Sequence, residues 1–260
     1  MSIAYQFLSL THPRLRHAMS GRRAELPAEG DVGHGPNTNA AIIETNRTAF
    51  LEAGGFAPEA LVVPRQSHGT TVATARAADR GRGRFPLFDG FLATDSIITN
   101  EVDLPLGIIV ADCVPVLLFD PVATALGVAH AGWRGTVGGI VRNTIIAMQQ
   151  QFGTQPEDLL VGIGPSIGPC CYAVGDEVLD AWNAAVPHAE HVITTRGEAR
   201  HFDLWQANAV QIEAAGVPSA QIELSGICVR CALEQFFSYR GARQTSAAPG
   251  RNMLVAQLST

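Results

Sequence analysis

The 260-residue chain contains no lysine, and all 18 of its basic residues are arginine. That absence excludes Schiff-base chemistry and the lysine-bearing phosphate loop, so any bound phosphate must meet guanidinium groups or backbone amides. Long apolar runs are missing too: the longest, over residues 107–111 and 114–119, fall far short of the roughly 20 residues that cross a bilayer. The opening stretch, MSIAYQFLSLTHPRLRH, lacks the basic start, apolar run and cleavage site of a secretion signal, and the chain reads as cytoplasmic. Net charge is −6, and the one basic concentration is Arg76, Arg80, Arg82 and Arg84 in a loop, which makes no footprint for nucleic acid. A small-molecule partner is expected instead.

What remains is the composition of a compact protein: 47% hydrophobic and 16% charged, with 26 glycines and 15 prolines to make turns. No Pro/Ser-rich linker, internal repeat or heptad pattern divides the chain, which favours one domain over residues 1–260. Five cysteines, an odd number, read as thiols or metal ligands before disulfides.

The first 40 residues are polar and glycine-rich, and the pattern then predicts a helix over 40–53 stopped by Gly54 and Gly55. Strands are expected over 61–63, 91–98, 107–111, 114–119 and 125–129, followed by a helix over 136–152. The second half alternates strand 159–163, helix 175–186, strand 191–195, helix 203–215, strand 221–225 and a last strand 253–258. This is an α/β rhythm with layered sheets.

Three segments combine reactive side chains with turn-forming residues: RQSHG (65–69), ADCVP (111–115) and HAGWRG (130–135). A thiolate and imidazole nitrogens suit zinc, and three protein ligands leave a fourth tetrahedral position open for water or substrate. His68, Cys113 and His130 are therefore candidate metal and catalytic residues. The same residues also suit a metal-free Cys113 nucleophile with a histidine base, and composition does not separate the two. In either version Asp112 can orient a histidine, accept a proton or cap a turn.

These strings, with ADCVPVLLFD (111–120), HAGWRGTVGGIV (130–141), GPSIGPCCYAVGDEV (164–178) and FFSYR (236–240) before Gly250-Arg251, resemble the YfiH-like family. The resemblance runs from about Arg16 onward, loosely over the first 40 residues, and is carried most strongly by the 17-residue step from Cys113 to His130. This family has been labelled multicopper polyphenol oxidase, or laccase-like, and is described as purine nucleoside phosphorylase with adenosine deaminase activity. The resemblance implies a single-domain layered α-β-β-α sandwich, with His68, Cys113 and His130 as the metal-binding and catalytic triplet, holding zinc or alternatively copper. It implies nucleoside and phosphate as partners.

The laccase label meets an obstacle in composition. Paired His-x-His motifs hold a trinuclear copper cluster, and the 8 histidines here include none, so Cys113 with two histidines would bind one copper, not four. Phosphorolysis asks instead for an anion site, a sugar pocket and a base pocket. Backbone amides of the 132–139 segment at a helix start, joined by Arg134, are one anion candidate, and Arg47, in a family-like Asn-Arg pair, is another. Gln66 and Asn37 are candidates for ribose or base; Trp133, Tyr172, Phe236, Phe237 and Tyr239 can stack on a purine or sit in the core. Cys170-Cys171 and Cys228-x-x-Cys231 are expected to be buried or redox-active thiols, since a structural zinc site needs four convergent ligands. His188 and His191 are expected at the surface. Competing functions are a metal-free hydrolase of amides in cell-wall precursors, a copper-dependent oxidase and a non-enzymatic metal-binding module.

Overall fold

The computed structural model describes residues 3–33, 39–84 and 89–260. Among them a six-stranded sheet and a three-stranded sheet stack face to face, with helices covering the outer side of each. The larger sheet is built from β2 (Val72–Thr74), β3 (Ser96–Thr99), β5 (Val114–Asp120), β6 (Ala125–Ala131), β7 (Leu160–Ile163) and β10 (Ile222–Leu224), in the order β10-β7-β5-β6-β3-β2. The smaller contains β1 (Leu15–Met19), β4 (Leu106–Val110) and β11 (Asn252–Leu258), with β11 central and both pairings antiparallel.

Alternation along single strands explains the layers. In β5, Val114, Val116 and Leu118 face α3 (Ile140–Phe152), α4 (Asp176–Ala185) and α5 (Leu204–Ala214), while Leu117 and Phe119 point into the space between the sheets. In β11, Leu254, Ala256 and Leu258 fill that same space, whereas Met253 and Val255 pack on Phe50 and Leu51 of α1 (Ala40–Ala53). The result is the α-β-β-α sandwich. Both faces of β5 are covered, and all seven of its residues are buried, which is why it reads as a continuous apolar run.

α1 occupies the predicted residues, with the Asn39 side chain accepting the amide of Ala41 at its start and Gly55 turning the chain out at φ +73°. The helix expected over 136–152 is two helices. A five-residue α2 (Trp133–Val137) ends at Gly138, Gly139 takes φ +81°, and α3 then begins. The strand expected over 61–63 reduces to a single bridge from Val62 to Leu106, and that over 91–98 to β3, because Ala93 turns at φ +48°. Among the described residues, the strands β1, β2 and β9 (Ala199–Phe202), which pairs with β8 (Ile193–Arg196), and the helix α6 (Tyr239–Gln244) had no forecast.

Candidate active site

Four segments meet at one end of the larger sheet. Asp95 immediately precedes β3, Cys113 immediately precedes β5, His130 is the penultimate residue of β6, and His68 lies in the loop leading to β2. Antiparallel pairing of β5 with β6 sets Val114 opposite Ala131 and Pro115 opposite His130, so Cys113 and His130 fall at the same end of the sheet. Proline is tolerated there because the ladder is only starting. The ligand atoms of His68, Cys113 and His130 all lie within 4.8 Å of one another. The two imidazole rings meet edge to face.

Asp95, which carried no role in the sequence, organises this cluster. Its fully buried carboxylate accepts the backbone amides of Ser67, His68 (2.9 Å) and Gly69 (2.7 Å) and the Ser67 hydroxyl (3.0 Å). One of its oxygens also stands 2.8 Å from His130 Nδ1. With Nδ1 engaged by a carboxylate, Nε2 is the ring nitrogen left for a ligand or a proton. His68 sits at φ +63°, a conformation uncommon outside glycine, and three amides bound to one carboxylate fix that turn. Burial works against charge on Asp95, yet its hydrogen bonds with His130 and Gly69 win and hold it well below the usual carboxylate range.

The same balance governs the pair beside it. Burial would raise the Cys113 thiol, but His130, through its charge and a hydrogen bond, and His68 bring it down instead. Burial likewise opposes an imidazolium at His130, and Cys113 and Asp95 together push its pKa up. Thiolate and imidazolium stabilise each other, as in activated thiols generally. The donor set, one thiolate sulfur and two imidazole nitrogens, fits a borderline-soft ion with an open coordination position. Gly132 makes the room: a Cβ there would stand 2.9 Å from Cys113 Sγ and 3.1 Å from His68 Cδ2.

These residues form the floor of a cavity of about 600 Å³, within the range of small-molecule sites. Trp133, Tyr172 and Tyr239 supply aromatic walls. Arg65, Arg134, Arg240 and Arg251 line it too, so an overall acidic chain presents four cations to one pocket. Arg134 stacks on Trp133, its guanidinium carbon 4.2 Å from the ring centre, and Arg240 stands 5.5 Å from that of Tyr172.

A family model described as multi-copper polyphenol oxidoreductase laccase matches residues 18–259. The chain belongs to this family. It is 39% identical to a purine nucleoside phosphorylase of Bacteroides thetaiotaomicron over 203 residues, covering 76% of this chain and 74% of that protein. It is 37% identical to the adenosine deaminase RL5 of an unknown prokaryotic organism, covering 76% of each. The crystal structure of YlmD from Geobacillus stearothermophilus superposes with a TM-score of 0.88 at 31% identity, over 95% of this chain and 93% of that one.

In this laccase-like chain several expected site residues are placed otherwise. Asp112 orients neither histidine: held at φ +86°, it accepts the Ser238 hydroxyl and the Arg240 amide, each at 2.6 Å, and so fixes the start of α6 against the pocket. Gln66 reaches the pocket, but its amide donates to the Ile109 carbonyl and accepts the Ile109 amide, both at 2.8 Å, so it serves the edge of β4. Arg47 is buried in α1 on the far side of the smaller sheet, donates to the carbonyls of Val32 and Arg84, and does not line the cavity. Arg134 does line it. Asn37 lies outside the described residues. Phe236 and Phe237 are core, and His188 and His191 are exposed. With only five residues in α2, a long helix dipole does not aim at the pocket, and the arginines carry its positive charge.

Of the four remaining cysteines Cys228 is buried, Cys171 half-buried, and Cys170 and Cys231 exposed. Cys170, Cys171, Cys228 and Cys231 converge, with all four sulfurs within 4.8 Å of one another. None is in a disulfide.

Proposed function

We propose that this chain is a metal-dependent purine nucleoside phosphorylase acting on adenosine, inosine and methylthioadenosine, with adenosine deaminase activity at the same site, and that residues 1–260 act as one domain. The observation carrying this reading is the junction of the His68, Cys113 and His130 cluster with a cavity that has both aromatic walls and four arginines. A nucleoside and an inorganic phosphate together ask for those surfaces: a flat apolar slot for the base and a cationic one for the anion.

Zinc, or alternatively copper, would be held by the Cys113 thiolate with His68 and His130, and when bound would supply Lewis acidity and a water activated near neutral pH. Trp133, Tyr172 and Tyr239 would hold the purine, and Arg134 with Arg65, Arg240 and Arg251 would align phosphate toward the ribose C1′. Asp95 keeps His130 oriented. The copper-cluster reading has less support: among the described residues, the candidate sets of three or more metal-ligating groups are this triplet, with two histidines, and the four cysteines, with none, and neither supplies the many histidines of a trinuclear cluster.

One observation favours a second reading. Asp95, His130 and Cys113 form a carboxylate, imidazole and thiol series in contact, which suits a metal-free thiol nucleophile acting on an amide. The deciding experiment incubates the protein with adenosine, inosine and methylthioadenosine, with and without phosphate, and identifies the products. Phosphate-dependent release of base with a sugar phosphate is expected. Phosphate-independent release, or no change in any nucleoside, would overturn phosphorolysis, and full activity in protein stripped of metal would favour the thiol nucleophile.

A further inference from the structure

Two loops on the helix-covered side of the larger sheet bring four sulfurs together. The connection from β7 to α4 carries Cys170 and Cys171, and the connection from β10 to α6 carries Cys228 and Cys231. Cys231 Sγ is 3.6 Å from that of Cys170 and 3.4 Å from that of Cys171, and no pair among the four exceeds 4.8 Å. A tetrahedral zinc ion at about 2.3 Å from each sulfur requires sulfurs about 3.8 Å apart. The observed set brackets that spacing, so the four thiols need only small rotations to close on one ion. A disulfide would require one pair to approach to about 2.05 Å.

We propose that Cys170, Cys171, Cys228 and Cys231 form a second metal centre, a closed four-thiolate zinc site, separate from the cavity. The surroundings are those of a supported thiolate site. The buried Cys228 sulfur accepts the amide of Gly168 at 3.2 Å, and the Cys231 amide donates to the Cys228 carbonyl at 3.0 Å, closing the tight turn of the C-x-x-C segment. The companion loop is fixed by His201, whose Nδ1 lies 2.7 Å from the Pro169 carbonyl. Four ligands leave no open position, so the role is structural.

What the ion would staple matters for the pocket. The first loop contributes Ile167 and Tyr172 to the cavity lining, and the second runs on to Tyr239 and Arg240. Outside the cysteines, the loops are joined by backbone bonds of Ser166 to Ile227 (3.2 Å) and to Val229 (3.0 Å). A zinc ion would lock two walls that come from chain segments about 60 residues apart.

The test is metal analysis of the full chain purified under reducing conditions, comparing wild type with the double variant Cys170→Ser/Cys231→Ser and with Cys113→Ser. Relative to wild type, the double variant should lose about one equivalent of zinc per chain while keeping whatever metal Cys113 holds, and Cys113→Ser should leave the four-sulfur equivalent in place. X-ray absorption at the zinc edge of Cys113→Ser should then show a zinc–sulfur shell at about 2.3 Å, which only the four cysteines can supply once Cys113 is gone, a readout that does not need the double variant to fold. Zinc content unchanged in the folded double variant, the absence of any zinc–sulfur shell in Cys113→Ser, or a disulfide between Cys231 and Cys170 or Cys171 in reduced protein would overturn the site. None of these outcomes depends on the reaction proposed above.

Discussion

Asp95 Oδ1 lies 2.8 Å from His130 Nδ1 while the same carboxylate accepts three successive amides from the loop that carries His68. One buried side chain therefore positions two of the three candidate metal ligands, and the behaviour of the site follows from it.

Asp95→Asn keeps the shape but replaces one acceptor oxygen by a donor and removes the charge. Metal affinity should fall by about 10- to 100-fold, as for loss of an outer partner of a ligating histidine. Stability should fall by about 2 kcal/mol or more, because bonds to a charged buried acceptor are lost. Competition titration with a chelator and urea unfolding check the two parts.

Gly132→Ala tests the room in the cluster. Gly132 has φ −72°, which alanine adopts freely, so any effect comes from the new methyl group meeting Cys113 Sγ and His68 Cδ2. A displacement of the reacting groups approaching 1 Å costs about 100-fold in rate. Turnover of inosine should drop toward that extent, with a thermal midpoint close to that of wild type.

The arginines should separate by location. Arg134→Ala removes an exposed guanidinium from the pocket wall and should raise KM for phosphate by about tenfold with little change in stability. Arg47→Met should do the reverse. It leaves the Val32 and Arg84 carbonyls without their buried donor, costing about 2 kcal/mol in unfolding, while kcat/KM per folded molecule stays near wild type.

Acid stability should depend on His17. Burial lowers its pKa below the ordinary 6.5, against an opposing pull from Glu223, and its Nε2 accepts the Phe7 amide at 2.9 Å, a role open only to the unprotonated nitrogen. A group whose pKa is depressed by folding contributes its stability above the unfolded value and loses it as the pH falls. Unfolding free energy should therefore decline from about pH 6.5 downward, as the unfolded chain takes up the proton first. His17→Gln, which keeps an acceptor, should flatten that part of the profile in urea titrations across pH.

Much of this was legible along the chain. β5 and β11 announce themselves by apolar length, α1 by its cap and its glycine stop, and His68, Cys113 and His130 by the turn residues beside them. Asp95 was not legible: an acid one position before an apolar strand shows no partner when that partner is His130, 35 residues on. Asn46-Arg47 reads in the sequence as a family-like pair, but which side of α1 meets a sheet is decided by packing. The cysteines read as two separate pairs until the parallel pairing of β7 with β10, continued by the bridge between Ser166 and Cys228, sets their loops side by side.

The order of residues along the chain also assigns an order of assembly. His68, Asp95, Cys113 and His130 all precede α3, and the strands that bring them together pair with one another within that stretch, β7 adding only an outer neighbour to β5. Tyr239, Arg240 and Arg251 come from the last part of the chain. A growing polypeptide therefore carries the candidate metal ligands, together with Arg65 and Arg134, well before Tyr239, Arg240 and Arg251 emerge to complete the pocket wall.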